Sequence, residues 1–314
     1  MEEEAEAAGA ALAGVHGEKG RLTPQSHVSI DYFDPPRDLR RFITTLFHFR
    51  CDDASIHDIQ PADVGKFMIV LKGRGQALFQ DGRVQDIPPV SLQSPTSVAL
   101  PFHFVDGLHS VGAALSPLGW AALSGLAADK HGNRLFDATE LLGTESQTLI
   151  DPIAQAYRSP TFDQAAMIDR VSGFLRKHMK RVSSRHAVLV EQVIQWLGTS
   201  LDPKLDALYA QSSYSTRQTQ RLVERYFGLN PRALKRKHRA VRAAAILSAP
   251  HLSAEREAAV HDYFYDQSHL IREIGLFVGR TPSRLGEGDK PILNELLDLR
   301  NFRVRHQIDP GEDG

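Results

Sequence analysis

The amino-acid sequence predicts an α+β protein of two domains: an N-terminal β-barrel or jelly roll, a helical linker, and a C-terminal all-α domain with two helix-turn-helix units. Three observations carry this prediction. Short strand-like runs broken by glycine and proline fill the first third, helical patterning begins near Leu118, and a twenty-residue segment of the last third recurs 51 positions later. A chain of 314 residues suits two domains, and 42% hydrophobic, 24% charged and 8% aromatic residues is a globular composition. The expected organisation is a tail over 1–26, a β domain over 27–117, a helical linker or dimer surface over 118–182, the double helix-turn-helix over 183–286, and a tail over 287–314.

The first 26 residues are rich in Ala, Glu and Gly without a sustained apolar face, which is the composition of a mobile tail. The opening Met1-Glu2-Glu3-Glu4 is acidic where a secretory signal needs a basic stretch, and no apolar run reaches the ~20 residues of a membrane span. The single Cys51 cannot form an intramolecular disulfide. The expected location is therefore the cytosol, with no membrane contact.

From 27 to 115 the strand-like runs are 27–33, 66–71, 76–80, 83–87, 97–104 and 110–115. Asp81-Gly82 between two of them is a signal for a type I′ hairpin. If such a barrel encloses an effector, its lining would include Phe67, Ile69, Phe79, Phe102 and Phe104, with Arg74 or His103 as a polar anchor; the same aromatics could instead fill the core. His48, His57, His103 and His109 could be imagined as metal ligands, but His103 and His109 are six apart with no following glutamate, so no metal or cofactor is expected. Helical patterning then gives candidates at 121–128, 145–157 and 162–180.

The net charge of −1 hides an asymmetry. Residues 183–286 hold 15 Lys/Arg against 9 Asp/Glu, a balance of +6, so the remainder carries −7. Between Tyr214 and Arg242 nine basic residues face Glu224 alone. Such a stripe is either a solvated face or an electrostatic footprint for nucleic acid.

The repeat decides between these readings. Ser215–Leu234 aligns without a gap on Asp266–Leu285. Each copy opens on an N-cap type, Ser215 or Asp266, and carries an arginine seven positions in, Arg221 or Arg272. Val223, Tyr226 and Phe227 in one copy, and Leu270, Ile274, Phe277 and Val278 in the other, are spaced along one helical face. Gly228 or Gly279 ends the helix, and Asn230-Pro231 or Thr281-Pro282 restarts the chain. A shorter helix precedes each copy, one capped at Asp202-Pro203 with Leu205, Leu208 and Tyr209 on a face, the other from Ser253 to about Asp262. Helix, turn and amphipathic helix form the motif whose second helix enters the major groove of double-stranded DNA.

With the apolar face inward, Arg217, Gln220, Arg221 and Glu224 project outward from the first copy, and Gln267, Ser268 and Arg272 from the second. Arginine can pair with guanine and glutamine with adenine, while His269 could reach a phosphate. Between the copies, Pro231 to about Ser248 reads as one helix of roughly 27 Å, near the separation of successive major grooves. Its Arg232, Lys235, Arg236, Lys237 and Arg239 are expected along the DNA backbone.

Over about 100 residues, from Ala187 to Leu285, the sequence resembles the AraC/XylS family of bacterial transcription regulators. The resemblance rests on Ser215-x-Arg217-x-x-x-Arg221, on Phe227-Gly228-x-x-Pro231, and above all on Asp266-Gln267-Ser268-His269-Leu270-x-Arg272-Glu273 followed by Gly279-x-Thr281-Pro282-Ser283. It implies base reading through Arg217, Gln220 and Arg221 and through Gln267, Ser268 and Arg272, a cupin-like sensor domain at the N-terminus, and action beside RNA polymerase, with a homodimer as one option for the assembly. Thr219 and Val223 stand where the family usually has leucine and phenylalanine, which implies looser packing. Ser213 and Tyr263 replace common turn glycines, so Tyr263 implies strain or a differently shaped turn. The lone Cys51 argues against the alkyl-transfer DNA repair proteins that share this DNA-binding fold. The function expected is a non-enzymatic, sequence-specific regulator that senses a small-molecule effector; the alternatives are a DNA-binding protein whose N-terminal domain docks a protein or dimerises, and a metal-dependent cupin enzyme fused to a DNA-binding domain.

Overall fold

A computed structural model describes residues 23, 27–249, 252–282 and 285; the tails expected at 1–26 (Thr23 apart) and 287–314, and Ser283, lie outside the described residues. The architecture is an N-terminal antiparallel sheet curled under a layer of helices, followed by an all-α region.

Among the described residues eight strands make one sheet: β1 (Val28–Phe33), β2 (Ile43–Cys51), β3 (Ser55–Gln60), β4 (Gly65–Leu78), β5 (Val84–Asp86), β6 (Val90–Gln93), β7 (Leu100–Leu115) and β8 (Leu135–Asp137). The order is β1-β2-β7-β4-β6-β8, with β3 paired to β7 and β5 to β4. The central β7 gives one edge to β2 along 108–115 and to β3 along 100–105, and the other edge to β4.

Two pairs of predicted strands are single bent strands. The runs 66–71 and 76–80 join in β4, and 97–104 and 110–115 join in β7. The apparent breaks are register shifts in the β4–β7 ladder, where Gly73, Asp106 and Gly107 take positive φ. A Cβ on Gly73 would lie 1.9 Å from the Gly107 carbonyl oxygen, so the close crossing requires glycine. The hairpin at Asp81-Gly82 is not of type I′, which needs two positive-φ residues; only Gly82 has one, at +82°, after a turn closed by Gly82 N–H to the Phe79 carbonyl at 2.9 Å. The strand-like runs of the sequence do not include β2, β3, β6 and β8: in β2, Thr44, Thr45, His48 and Arg50 break the apolar pattern, and β3 carries the buried Asp58.

One sheet face, with Leu46, Phe67, Ile69, Val111 and Ala113, packs under helices α1 (Pro117–Ser124), α3 (Ala138–Leu142), α5 (Ile150–Tyr157) and α6 (Gln164–His178). The short α2 (Ala128–His131) and α4 (Glu145–Thr148) complete this layer, so the helix expected at 145–157 is interrupted at Leu149. Helix α1 begins before the expected 121 because Ser116 caps it, accepting from Gly119 N–H, and Pro117 sits in its first turn.

The C-terminal helices are α7 (Ser184–Gly198), α8 (Leu205–Gln211), α9 (Thr216–Phe227), α10 (Pro231–Leu247), α11 (Ala254–His261) and α12 (Gln267–Val278). Helices α8 and α9 enclose one core with α7 around Val193, Trp196, Leu208, Leu222 and Tyr226; α11 and α12 enclose another around Val260, Phe264, Leu270 and Ile274. Helix α10 spans both, Leu234 in the first and Val241 with an alanine face at 240–245 in the second. Among the described residues no helix is long and apolar enough to cross a membrane.

Candidate nucleic-acid interface and interdomain cavity

The caps read from the repeat define the two amphipathic helices. Ser215 accepts from Gln218 N–H while the Gln218 side chain accepts from Ser215 N–H, and Asp266 accepts from His269 N–H at 2.7 Å. Gly228 and Gly279 end the helices with φ of +76° and +79°. Asn230 caps α10 with Pro231 behind it. Asp202, in contrast, does not cap α8, which is flanked by Lys204 without a side-chain cap; Asp202 is drawn instead to Lys235 and Arg239, at 2.9 and 3.1 Å.

Thr219 and Val223 are fully buried in α9, and the Thr219 hydroxyl meets that of Ser212 in the preceding turn at 2.7 Å. A hydroxyl thus occupies the core position with its hydrogen bond made. The second turn accommodates Tyr263 by changing shape, since neither Tyr263 nor Ser213 has a positive φ.

Arg217, Gln220 and Arg221 lie exposed on α9, as do Gln267, Ser268 and Arg272 on α12. His269 is half-buried and directed inward, its Nε2 3.2 Å from Glu273. The basic residues of α10 also differ from expectation. Arg236 and Arg239 each bind the buried Glu273 of α12 at 2.8 Å, Lys235 binds Asp202, and Lys237 donates to the carbonyls of Asp63 and Thr96 at 3.3 and 2.9 Å. Arg232 is exposed. Four of the five cations expected along the DNA backbone therefore hold α10 to its neighbours, because carboxylates and carbonyls distant in sequence are brought under it. Burial acts to raise the Glu273 carboxyl, but the hydrogen bonds from Arg236 and Arg239 outweigh it and hold it below its ordinary value. Burial pushes the Lys237 ammonium down to about 8.

The second copy is fastened to the sheet domain. Ala62 and Ala99 donate N–H to the last carbonyls of α12, Phe277 at 2.7 Å and Leu276 at 3.0 Å, groups that a helix end leaves without partners. Asp58 of β3 and Arg280 form a buried ion pair 222 residues apart. Gly279 lies so close that a Cβ would meet Ile59 Cγ2 at 2.3 Å. The first copy touches the sheet domain through α2, where Asp129 and Lys130 face Gln218, Arg221 and Arg225 across a cleft. No sequence pattern announces the Asp58–Arg280 pair, since neither residue belongs to a local motif.

A cavity of about 530 Å³ lies between the other face of the sheet and the helices of the first copy. Phe47, Phe49, Met68, Phe102 and Phe104 line it from the strands; Ile194, Tyr226, Phe227 and Leu234 line it from the helices. Gly75 makes room for one of these rings, as a Cβ there would lie 2.6 Å from Phe104. Lys66, Gln60, Gln93 and Lys237 are the polar groups in its wall. Of the lining expected from sequence, Phe102 and Phe104 face this space. Phe67 and Ile69 do not: the strand alternation places them under the helical layer, with Met68 between them facing the cavity. Phe79 packs with Ala77, Leu100 and Leu135. Arg74 is exposed beside Asp106, and His103 stacks on His57 with ring centroids 4.1 Å apart.

The remaining histidines are held by protein groups. His48 Nδ1 accepts from Gln164, and His109 bridges Tyr157 and Asp52. Burial pushes the His48 imidazole down to about 4. Among the described residues no group of three or more His, Cys, Asp or Glu side chains could hold a metal ion.

No protein-family model matches the chain, and no curated protein matches it. Among solved structures it is similar to ToxT from Vibrio cholerae O395, at 9% identity and TM-score 0.45, covering 82% of this chain and 96% of that one. It is also similar to unsaturated fatty acid bound wild-type ToxT from Vibrio cholerae strain SCE256, at 10% identity and TM-score 0.43, covering 84% of this chain and 96% of that one. The AraC-like transcriptional activator CuxR aligns at 12% identity and TM-score 0.31, covering 69% of this chain and 86% of that one.

Proposed function

We propose that the protein is a non-enzymatic, sequence-specific DNA-binding transcription regulator of AraC/XylS type, whose two recognition helices enter successive major grooves and whose N-terminal domain senses a small apolar molecule. The observation that carries the reading is the internal repeat: α9 and α12 are both capped, both buried on one face, and both exposed on the face that bears Arg217, Gln220 and Arg221 or Gln267, Ser268 and Arg272. Helix α10, 17 residues and therefore about 25 Å long, joins them as a strut. Arg217, Arg221, Arg225 and Arg232 supply the salt-dependent attraction to phosphate, since Lys235, Arg236, Lys237 and Arg239 are occupied within the protein.

The cavity supports the sensor role over a filled, partner-docking barrel. It is large enough for a small organic molecule, mainly apolar, and walled by both the sheet and the first helix-turn-helix copy, so an occupant touches both domains. A ligand that differs in affinity between two domain arrangements shifts their populations.

Selection of genomic or random DNA by the purified protein, followed by titration of the recovered sequence at several salt concentrations, tests this. The expected result is a motif with two contact blocks about one helical turn apart, bound more weakly as salt rises. Salt-sensitive binding with no motif would replace the regulator with a non-specific or partner-docking protein.

A further inference from the structure

The 51-residue offset makes the two recognition helices comparable position by position: Arg217 matches Ser268, Arg221 matches Arg272, Gln220 matches Ile271, and Glu224 matches Gly275. On both helices these positions lie opposite or beside the buried face. Where the first copy presents an amide, the second presents a branched alkyl group. Ile271 is 38% exposed. Among the described residues the exposed large hydrophobics are Val188, Tyr263, Tyr265, Ile271 and Leu276, and all but Val188 belong to the second copy. Isolated exposed apolar residues are ordinary; of these five, Ile271 is the one that stands on α12 beside Ser268 and Arg272.

Gly275 is the second feature of this face. A glycine in a helix interior costs about 1 kcal/mol relative to alanine. Packing does not require this one, because a Cβ at Gly275 would meet nothing within 4 Å. One turn after Ile271, on the face of Ser268 and Arg272, it leaves the helix backbone bare for close approach to an outside surface.

We infer that the second recognition helix reads thymine through its 5-methyl group, with Ile271 as the contact and Gly275 allowing the helix to sit deep enough to make it. The inference rests on the DNA-binding reading above. The major groove is the occupant favoured here because Ile271 holds the place of the base-reading Gln220 and is flanked by Ser268 and Arg272. The thymine methyl is the apolar group that this groove displays, and alkyl side chains recognise it. The two half-sites are thus read by different chemistry, hydrogen bonding through Gln220 in one and methyl contact through Ile271 in the other.

The test uses the full-length protein and its selected DNA site, with each thymine replaced in turn by deoxyuridine, which removes only the methyl. At one or more thymines of the second half-site, wild-type binding is expected to weaken about fourfold, the equivalent of one buried methyl. Ile271→Ala is expected to bind the thymine and uracil sites equally. Gly275→Ala is expected to raise the melting temperature yet weaken binding, a pairing that a merely structural glycine does not produce. If the selected site is bound specifically but every thymine tolerates uracil, or if the loss persists in Ile271→Ala, the methyl contact is overturned while the DNA-binding reading stands. The wild-type measurement needs no variant to fold. Failure to select any site removes both. Self-association that Ile271→Ala abolishes, without change in thymine preference, would place a second copy of the chain on this face instead.

Discussion

In the first helix-turn-helix copy Tyr214 lies half-buried beside His186 of α7, whereas in the second its repeat counterpart Tyr265 is 93% exposed. The two copies share their caps, their terminal glycines and their buried helical face. They differ in their surroundings. The first is braced by α7, through Trp196, Val193 and the Thr219–Ser212 hydroxyl pair, and meets the sheet domain through that domain's helices, at Leu118 of α1 and at α2. The second has no such helix among the described residues and leans on the sheet domain through Ala62, Ala99 and the Asp58–Arg280 pair. Duplicated motifs therefore need not be braced alike: helices support the first copy on both sides, and strand-borne groups hold the end of α12.

The strongest way to break this comparison is Arg280→Leu, which leaves Asp58 buried without its guanidinium. Removal of one partner of a buried pair costs about 3 to 5 kcal/mol. The expected outcome is faster amide hydrogen exchange at Ala62, Ala99 and the end of α12, with α9 unchanged; equal loosening of both copies would show that they are not differently braced. Next comes pH. Lys237, held at about 8 against an ordinary 10.5, stays protonated longer when released than when docked. The released form therefore binds more protons between these values, so docking strengthens as pH rises through that window, by at most about 3 kcal/mol. Denaturation from pH 8 to 10.5 checks this against Lys237→Met, which should lack that rise.

Smaller effects sharpen the picture. Arg221→Ala and Arg272→Ala should each lose roughly 1 to 3 kcal/mol of specific DNA binding with the fold intact. Unchanged affinity in both would mean that the base-reading faces lie elsewhere. Thr219→Val should destabilise the protein by about 1 kcal/mol, measured by urea unfolding, because the Ser212 hydroxyl keeps only the Tyr214 N–H and loses its bond to Thr219. Tyr265→Ala should move stability by less than about 0.5 kcal/mol, and Tyr214→Ala by more. An equal cost for the two tyrosines would count against the difference in bracing.

Local chemistry explains how much of this was legible beforehand. Caps and terminal glycines act over three or four residues, so Ser215, Asp266, Gly228 and Gly279 identified α9 and α12 and the outward sides of both helices. The arginines, glutamines and serine on those sides followed from helical periodicity. The cavity was much less legible. Alternation states that Phe67 and Met68 face opposite ways but not which face a helix will cover, so the expected lining holds at Phe102 and Phe104 and fails at Phe67 and Ile69.

Strand breaks at Gly73 and Asp106–Gly107 could not be told from turns, because glycine serves both a loop and a bulge. The fate of the basic stripe depended on partners far along the chain. A row of lysines and arginines has the same sequence whether it meets phosphates or Asp202, Glu273 and the carbonyls of Asp63 and Thr96. What the sequence alone established is everything governed by short-range geometry: two capped, amphipathic helices, their repeat, and the α+β division of the chain. Packing decided how each copy meets the sheet domain, which sheet face is hollow, and which cations remain exposed, since each is a relation between surfaces that meet only after the chain has folded.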